Sequence, residues 1–365
     1  MKIASIVACL ESWAPLPLQE SYDNAGLITG DTGWECTGII CSLDATEAVV
    51  KEAITRGCNL VVSHHPIIFG GLKKINGKNY VERAIITAIK NDIALYAIHT
   101  NLDNILSGVN GRIADQLGLQ NRSILSAREN TLRKLFTFVP ADHAEAVRNA
   151  LFDAGAGQIG LYSECSFNSE GTGTFKAGEN ANPYVGEKNR RHHEKEIKLE
   201  LVFPTGLQPA LLRALKAAHP YEEVAYDVVE LANPHPETGS GLLGDLPQAL
   251  EEQPFLQLVK TVFGTPLIRH TAFPGRPVKK VAVCGGAGSF LISKALAAGA
   301  DAYITADMKY HEFFDANSQL LIADPGHFET EQFTIPLLQE VLAKKFPTFA
   351  VLKTEVETNP VRYFA

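Results

Sequence analysis

The sequence is poor in paired cysteines, in long apolar runs and in clustered basic charge. Its six cysteines, at positions 9, 36, 41, 58, 165 and 284 of 365 residues, form no CxxC pair. Without that pairing they read as reduced thiols, buried or partly buried. No apolar run reaches the roughly 18 residues a membrane span needs, so no membrane partner is expected. The opening MKIASIVACLESWAP has neither a long apolar stretch nor a small-residue cleavage site. No signal peptide is expected, and a cytoplasmic location follows. Formal net charge is −8 with no sustained basic stripe, which disfavours a general nucleic-acid surface. No solenoid-type period is present either.

Hydrophobic residues make up 45% and charged residues 20%, the composition of a chain that buries a substantial core. The length favours two domains. In the first third, short apolar runs alternate with helical patterns. TGIICSLD (37–44), NLVVSHH (59–65) and IALYAIHTNLD (93–103) read as strands, with helices over 45–57 and 80–92. The last third repeats the style, with strands over 278–286, 301–307, 319–326 and 348–355 and helices over 289–300, 308–318 and 327–346. This alternation predicts an α/β, three-layer core with a mostly parallel sheet. The middle reads strand–helix–strand twice, the ferredoxin-like order of an α+β insert. The Pro- and Gly-rich NPHPETGSG (233–241) reads as the linker back out. The expected domains are therefore 1–126 with 243–365, interrupted by 128–233.

Imidazoles and carboxylates gather at three predicted strand ends: His64 and His65, then His99 and Asp103, then Asp324, His327 and Glu331. Strand ends of an α/β sheet are where such donors converge. His327 and Glu331, four apart, share a helix face. Five or six donors exceed the three protein ligands of a single catalytic zinc and suit two ions about 3.5–4 Å apart. The set lacks sulfur and admits Zn, Mn, Fe, Co or Mg. The alternative for any one cluster alone is an ordinary structural or exposed histidine. Adjacent His64 and His65 should point to opposite faces of a strand, unless the strand ends there; Pro66 biases His65 away from helix.

Weaker candidates surround these. VCGGAGSF (283–290) could offer amides of Gly286 and Gly288 to an anion. It lacks the third glycine of GxGxxG and the Lys-Ser/Thr of a P-loop, so a tight strand–helix turn is the plainer reading. Asp23 and Asn24 could position substrate or only shape a turn. Lys309 and His311 face the same rim or merely start a solvated helix. His192 and His193 read as a solvated charged loop, and His219 as a turn cap.

DNAGLITG, VVSHHPIIFGG, AIHTNLDN, VCGGAGS, ITADMKYHE and DPGHFETE occur in that order. Together they resemble the dinuclear metal-centre family of GTP cyclohydrolase I type 2 homologues, also named for likeness to a yeast Ngg-interacting factor. The middle segment, with HPYEEVAYDVVEL, resembles the CutA/PII-like insert of the longer members. The resemblance implies two divalent metal ions (Zn, Mn, Fe or Co) on His64, His65, Asp103, His327 and Glu331, with Glu331 bridging. His99 matches a further site histidine. It also implies a homo-oligomer, a toroidal hexamer. Ala306 departs from the glycine expected after that strand. The family name implies a metal-activated water that opens the guanine imidazole ring of GTP with formate release, His99 or Glu331 moving protons. The alternatives are a hydrolase of another nucleotide or phosphoester, and a metal-binding regulatory or assembly protein without turnover.

Overall fold

The computed structural model describes residues 1–364. Its contacts divide the chain into two compact units, Met1–Ala127 together with the chain from Glu237 onward, and Arg128–Pro236. The first stretch runs α1 (Ile3–Trp13), β1 (Gly26–Thr29), β2 (Ile39–Asp44), α2 (Glu47–Thr55), β3 (Leu60–His65), α3 (Tyr80–Lys90), β4 (Ala94–Ala97), α4 (Thr100–Asp103), α5 (Val109–Leu117) and β5 (Gln120–Ala127). The middle holds β6 (Leu132–Pro140), α6 (Ala144–Asp153), β7 (Phe167–Lys176), β8 (Arg191–Pro204), α7 (Gln208–Ala218) and β9 (Tyr226–Glu230). The last stretch adds β10 (Gly239–Leu250), α8 (Glu252–Phe263), β11 (Arg269–His270), β12 (Val278–Ala287), α9 (Ile292–Ala297), β13 (Ala302–Ala306), β14 (Leu321–Asp324), α10 (His327–Glu331), α11 (Thr334–Lys345) and β15 (Val351–Lys353).

The first unit contains two sheets where one mostly parallel sheet was expected. One sheet has the order β1-β4-β3-β2-β15, parallel except for β1. The other has the order β11-β14-β13-β12-β10-β5, parallel only across β12, β13 and β14. Strands such as IICSLD and LVVSHH are buried along almost their whole length, which is what strands covered on both faces require. One face of the first sheet packs on α2 and α3 through Val49, Val50, Ala84, Ile85 and Ala88. The inner faces of both sheets share one core with α1, α5, α8 and α11. Residues with a period of 2 or 3.6 announce an element, but not which sheet it joins; β15 returns to pair with β2.

Several sequence expectations shift here. The run 93–103 is a strand only to Ala97, and Asp103 ends a single helical turn. The expected helix 327–346 breaks into α10 and α11. Pro336 lacks an N–H and fits only in a first helical turn, so a new helix begins just before it. The expected helix 308–318 is a 3₁₀ segment, Tyr310–Ala316. The linker reading of 233–241 also fails at its end, because β10 begins at Gly239.

The Arg128–Pro236 unit is an antiparallel sheet of order β7-β8-β6-β9. With α6 and α7 it has the ferredoxin-like order. Leu135, Val139, Leu199, Leu201 and Phe203 alternate inward against Val147, Leu151, Leu211 and Leu215 of the helices. His192 and His193 lie within β8 rather than in a loop, and His192 Nε2 sits 2.8 Å from Glu194. His219 caps as expected: its Nδ1 accepts from the Tyr221 amide at 3.1 Å.

Candidate metal centre

Strand ends of both sheets meet at one place. His64 and His65 close β3, His99 follows β4, Asp103 closes α4, and His327 and Glu331 share one face of α10. The Glu331 carboxylate lies at the middle, buried. Its Oε2 is 2.9 Å from His65 Nε2 and 3.0 Å from His327 Nε2. Its Oε1 is 3.8 Å from His64 Nε2, which is itself 3.6 Å from Asp103 Oδ1. The ligand atoms of His65, His327 and Glu331 fall within 4.8 Å of one another, as do those of His64, His65 and His99. These groups could hold a metal ion.

The strand does not end before the histidine pair. The parallel ladder continues to Asp44↔His65, and the two rings stand 5.0 Å apart at 45°. Adjacency is useful because the two Nε2 atoms address different oxygens of one carboxylate.

Each imidazole is oriented through its other nitrogen. His64 Nδ1 bonds the Ile98 carbonyl at 2.9 Å, and His65 Nδ1 lies 2.8 Å from Asp44 Oδ1. His327 Nδ1 is 2.7 Å from Asp307 Oδ2, and His99 Nδ1 is 2.8 Å from Asp23 Oδ1. Such partners fix the tautomer and leave Nε2 as the donor atom. Asp44 is held in turn by the Thr358 hydroxyl at 2.6 Å. Sequence reasoning missed Asp44 and Asp307. The signal was available, because both stand at the ends of strands on the same rim as the histidines.

The electrostatics suit a cation. Burial alone would raise the carboxyl of Glu331, but His327, His64 and His65 outweigh it and hold it well below its usual range. Burial lowers His65 and His327, yet carboxylate neighbours overcome this. Asp44 and Glu331 push His65 up to about 10, and Glu331 and Asp307 push His327 up to about 11. Burial, then Glu331, raises Asp103 to about 7. Three buried polar atoms, His64 Nε2, Asp103 Oδ1 and Glu331 Oε2, have no hydrogen-bond partner. Buried polar atoms are seldom left so, and all three are borderline-to-hard donors within one cluster, His64 Nε2 and Asp103 Oδ1 on the Oε1 side of Glu331 and Oε2 on the side of His65 and His327. The donor set therefore fits a divalent metal.

Other sequence candidates have different duties. Asp324 pairs with Arg269 and accepts from the amides of Met308 and Gly326. Asp23 is a support for the site, since it accepts from His99 and from the hydroxyl and amide of Thr100. Burial raises its carboxyl, but these donors prevail and hold it at about 2. Asn24 donates to the Ile68 carbonyl at 2.7 Å. At the Gly-rich turn the Gly286 amide donates to Thr330 and that of the neighbouring Gly285 to Asn110. Gly288 sits where a Cβ would meet Thr305 and Tyr303 at 2.5 Å. Lys309 and His311 do not line the cavity at the centre; Lys309 reaches Glu312, and His311 stacks on Phe314. Ala306 is fully buried in β13.

Gly286 has φ +61°, and a Cβ there would lie 2.3 Å from Glu331 Oε1. Gly286→Ala should therefore displace the central carboxylate and lower metal occupancy, at a cost of about 1–3 kcal/mol from the backbone alone. Gly299→Ala is the control, with φ +68° and open space around it. Elemental analysis and thermal melts of both variants check this, and equal metal occupancy in the two would contradict it. Asp307→Asn removes the anionic partner of His327. It should weaken metal binding about 10–100-fold, as measured by competition with a chelating dye.

A cavity of about 700 Å³ opens over the centre, bordered by His65, His99, Asp103, His327 and Glu331. A smaller one of about 440 Å³ adjoins it at His65 and His327. No helix among the described residues is long and apolar enough to cross a membrane.

Comparison with known proteins agrees with the motif resemblance. The chain is 38% identical to the GTP cyclohydrolase 1 type 2 homolog of Halalkalibacterium halodurans over all of both chains. It is 37% identical to the one from Bacillus subtilis, covering 98% of this chain and 97% of that one. A solved Bacillus cereus protein related to NIF3 superposes with TM-score 0.86 at 38% identity, over 100% of this chain and 99% of that one. A Staphylococcus aureus protein superposes with TM-score 0.78 at 29% identity, with the same coverage. A family model matches residues 1–360, and the chain belongs to that family, Duf34/NIF3 (NGG1p interacting factor 3).

Proposed function

We propose that the chain is a dinuclear metal-dependent hydrolase that opens the imidazole ring of a guanine substrate and releases formate. The observation that carries this reading is the split of Glu331. Its Oε1 lies 3.8 Å from His64 Nε2, which is 3.6 Å from Asp103 Oδ1, and its Oε2 faces His65 and His327; His64 Nε2, Asp103 Oδ1 and Oε2 itself have no hydrogen-bond partner. In this reading His64, Asp103 and Glu331 would hold one ion, and His65 and His327 with Glu331 would hold the other. Two divalent ions would supply Lewis acidity and a water activated near neutral pH.

The chain's own residues provide the rest. Glu331 is committed to both donor sets, so proton transfer falls to His99. Its Nδ1 is engaged by Asp23 at 2.8 Å, which leaves Nε2 as the nitrogen that can exchange a proton with substrate. Asp103 and the rings of Phe69 and Tyr22 border the same cavity and confine the substrate beside His99.

The curated relatives named GTP cyclohydrolase 1 type 2 homolog support the reaction class. The CutA/PII-like character of the insert and a toroidal hexamer belong to the same reading; sedimentation velocity tests the latter. For the activity, metal-loaded protein is incubated with GTP and, separately, with guanosine, and formate and a fluorescent pterin are assayed. Finding neither overturns the reading. A His65→Ala variant separates it from a metal-binding regulatory protein: metal and turnover should disappear together.

A further inference from the structure

Four large aromatic side chains border the cavity over the centre while remaining widely exposed. Tyr22, Phe69, Tyr80 and Phe290 are 69%, 55%, 61% and 64% exposed. Phe69 also meets His99 edge-to-face, with ring centroids 5.6 Å apart. Exposed aromatics gathered at one polar-floored cavity mark a site that takes a flat ring.

Apart from the imidazoles of the metal centre, the charged groups of the cavity have one sign. Among the described lining residues there is no lysine or arginine, but there are four carboxylates: Glu20, Asp44, Asp103 and Glu331. Four carboxylates balance the charge that two divalent ions would bring. Beyond the reach of the metal ions themselves, a polyphosphate tail is held by lysine, arginine or clusters of free amides. The Gly285 and Gly286 amides, the nearest candidates, already donate to Asn110 and Thr330. In the adjoining smaller cavity the single arginine, Arg269, is paired with Asp324.

We propose that the ligand recognised here is an uncharged heteroaromatic ring, a purine base or nucleoside, rather than a nucleoside triphosphate. This rests on the ring-opening reading above and narrows its substrate class. The aromatic rim contributes the affinity, and a triphosphate tail finds no basic side chain to offset its desolvation. Phe69 acts as a specificity-determining residue, stacking the ring against the His99 side of the cavity.

Titration calorimetry on metal-loaded protein with guanosine and with GTP tests this, at low and at physiological salt. Guanosine should bind at least as tightly as GTP, with an affinity that salt leaves unchanged. Phe69→Ala should weaken guanosine binding about tenfold, the usual loss for one stacked base, with metal content unchanged by elemental analysis. GTP binding tighter than guanosine overturns this inference and leaves the ring-opening reading standing. An unchanged guanosine affinity in Phe69→Ala also overturns it. If neither ligand binds, both readings fall together.

Discussion

Glu331→Gln should abolish stable metal binding and any ring-opening activity in one step. The amide keeps the size of the side chain but offers a single acceptor oxygen and no charge. The carboxylate now serves His64 with one oxygen and both His65 and His327 with the other. Losing an outer hydrogen bond in a metal site typically costs about 10–100-fold in affinity; losing the shared central donor should cost more. The metal-free variant should also melt earlier. Removing one partner of a buried ionic cluster typically costs about 3–5 kcal/mol. Elemental analysis, a chelator titration and a thermal melt read the three effects. Full metal content in the glutamine variant would refute the central placement of this carboxylate.

The metal-free protein should draw its largest cluster stabilisation between about pH 4.5 and 6.5, and adding metal should move that optimum upward. His65 and His327 are raised from 6.5 to about 10 and about 11. A raised imidazole contributes stability that is fully present below its unfolded value and is lost as pH climbs through the folded one. Glu331 is depressed from 4.5, so its contribution is present above that value and disappears as pH falls. Asp103 is raised from 3.8 to about 7, which adds a penalty that grows across that interval as the pH rises. The net loss toward alkaline pH is on the order of a few kcal/mol, carried mainly by His65, whose side chain is 14% exposed, because solvent screens His327 at 37%. A metal requires neutral imidazoles and displaces their protons, so the stabilisation it adds grows with pH. Melting temperatures with chelator and with metal from about pH 5 to 10 test both limbs. A metal-free melting temperature that still rises above about pH 7 would contradict the assignment.

Much of the donor set was legible because it obeys local rules. His64, His65 and His99 stand at the ends of apolar runs, and His327 and Glu331 are one helical turn apart. Asp103 was found with the wrong local structure, since the turn after His99 depends on contacts such as Asp23 with the Thr100 amide, from a distant part of the chain. Asp324, which also stands at a strand end, pairs with Arg269: a strand-end carboxylate looks the same in sequence whether it meets a metal or an arginine. The second sheet was not legible, because pairing partners such as Ala127 and Gly239 are set by topology rather than periodicity. The gathering of four carboxylates around the cavity was likewise invisible, being assembled from segments as distant as Glu20 and Glu331.

The two ladders that flank the insert have a kinetic consequence. In the host, β5 pairs with β10 through Ala127↔Gly239, so the whole insert is a loop between two neighbouring strands. Within the insert, its first and last strands pair through Arg133↔Glu230. Once the insert has folded, its own ends are side by side and the long loop behaves as a short one. The chain entropy of closing the host ladder is then largely spent before β5 and β10 meet. The effective contact order of the second sheet falls accordingly, and a host interrupted by a large domain can still fold as though joined by a turn.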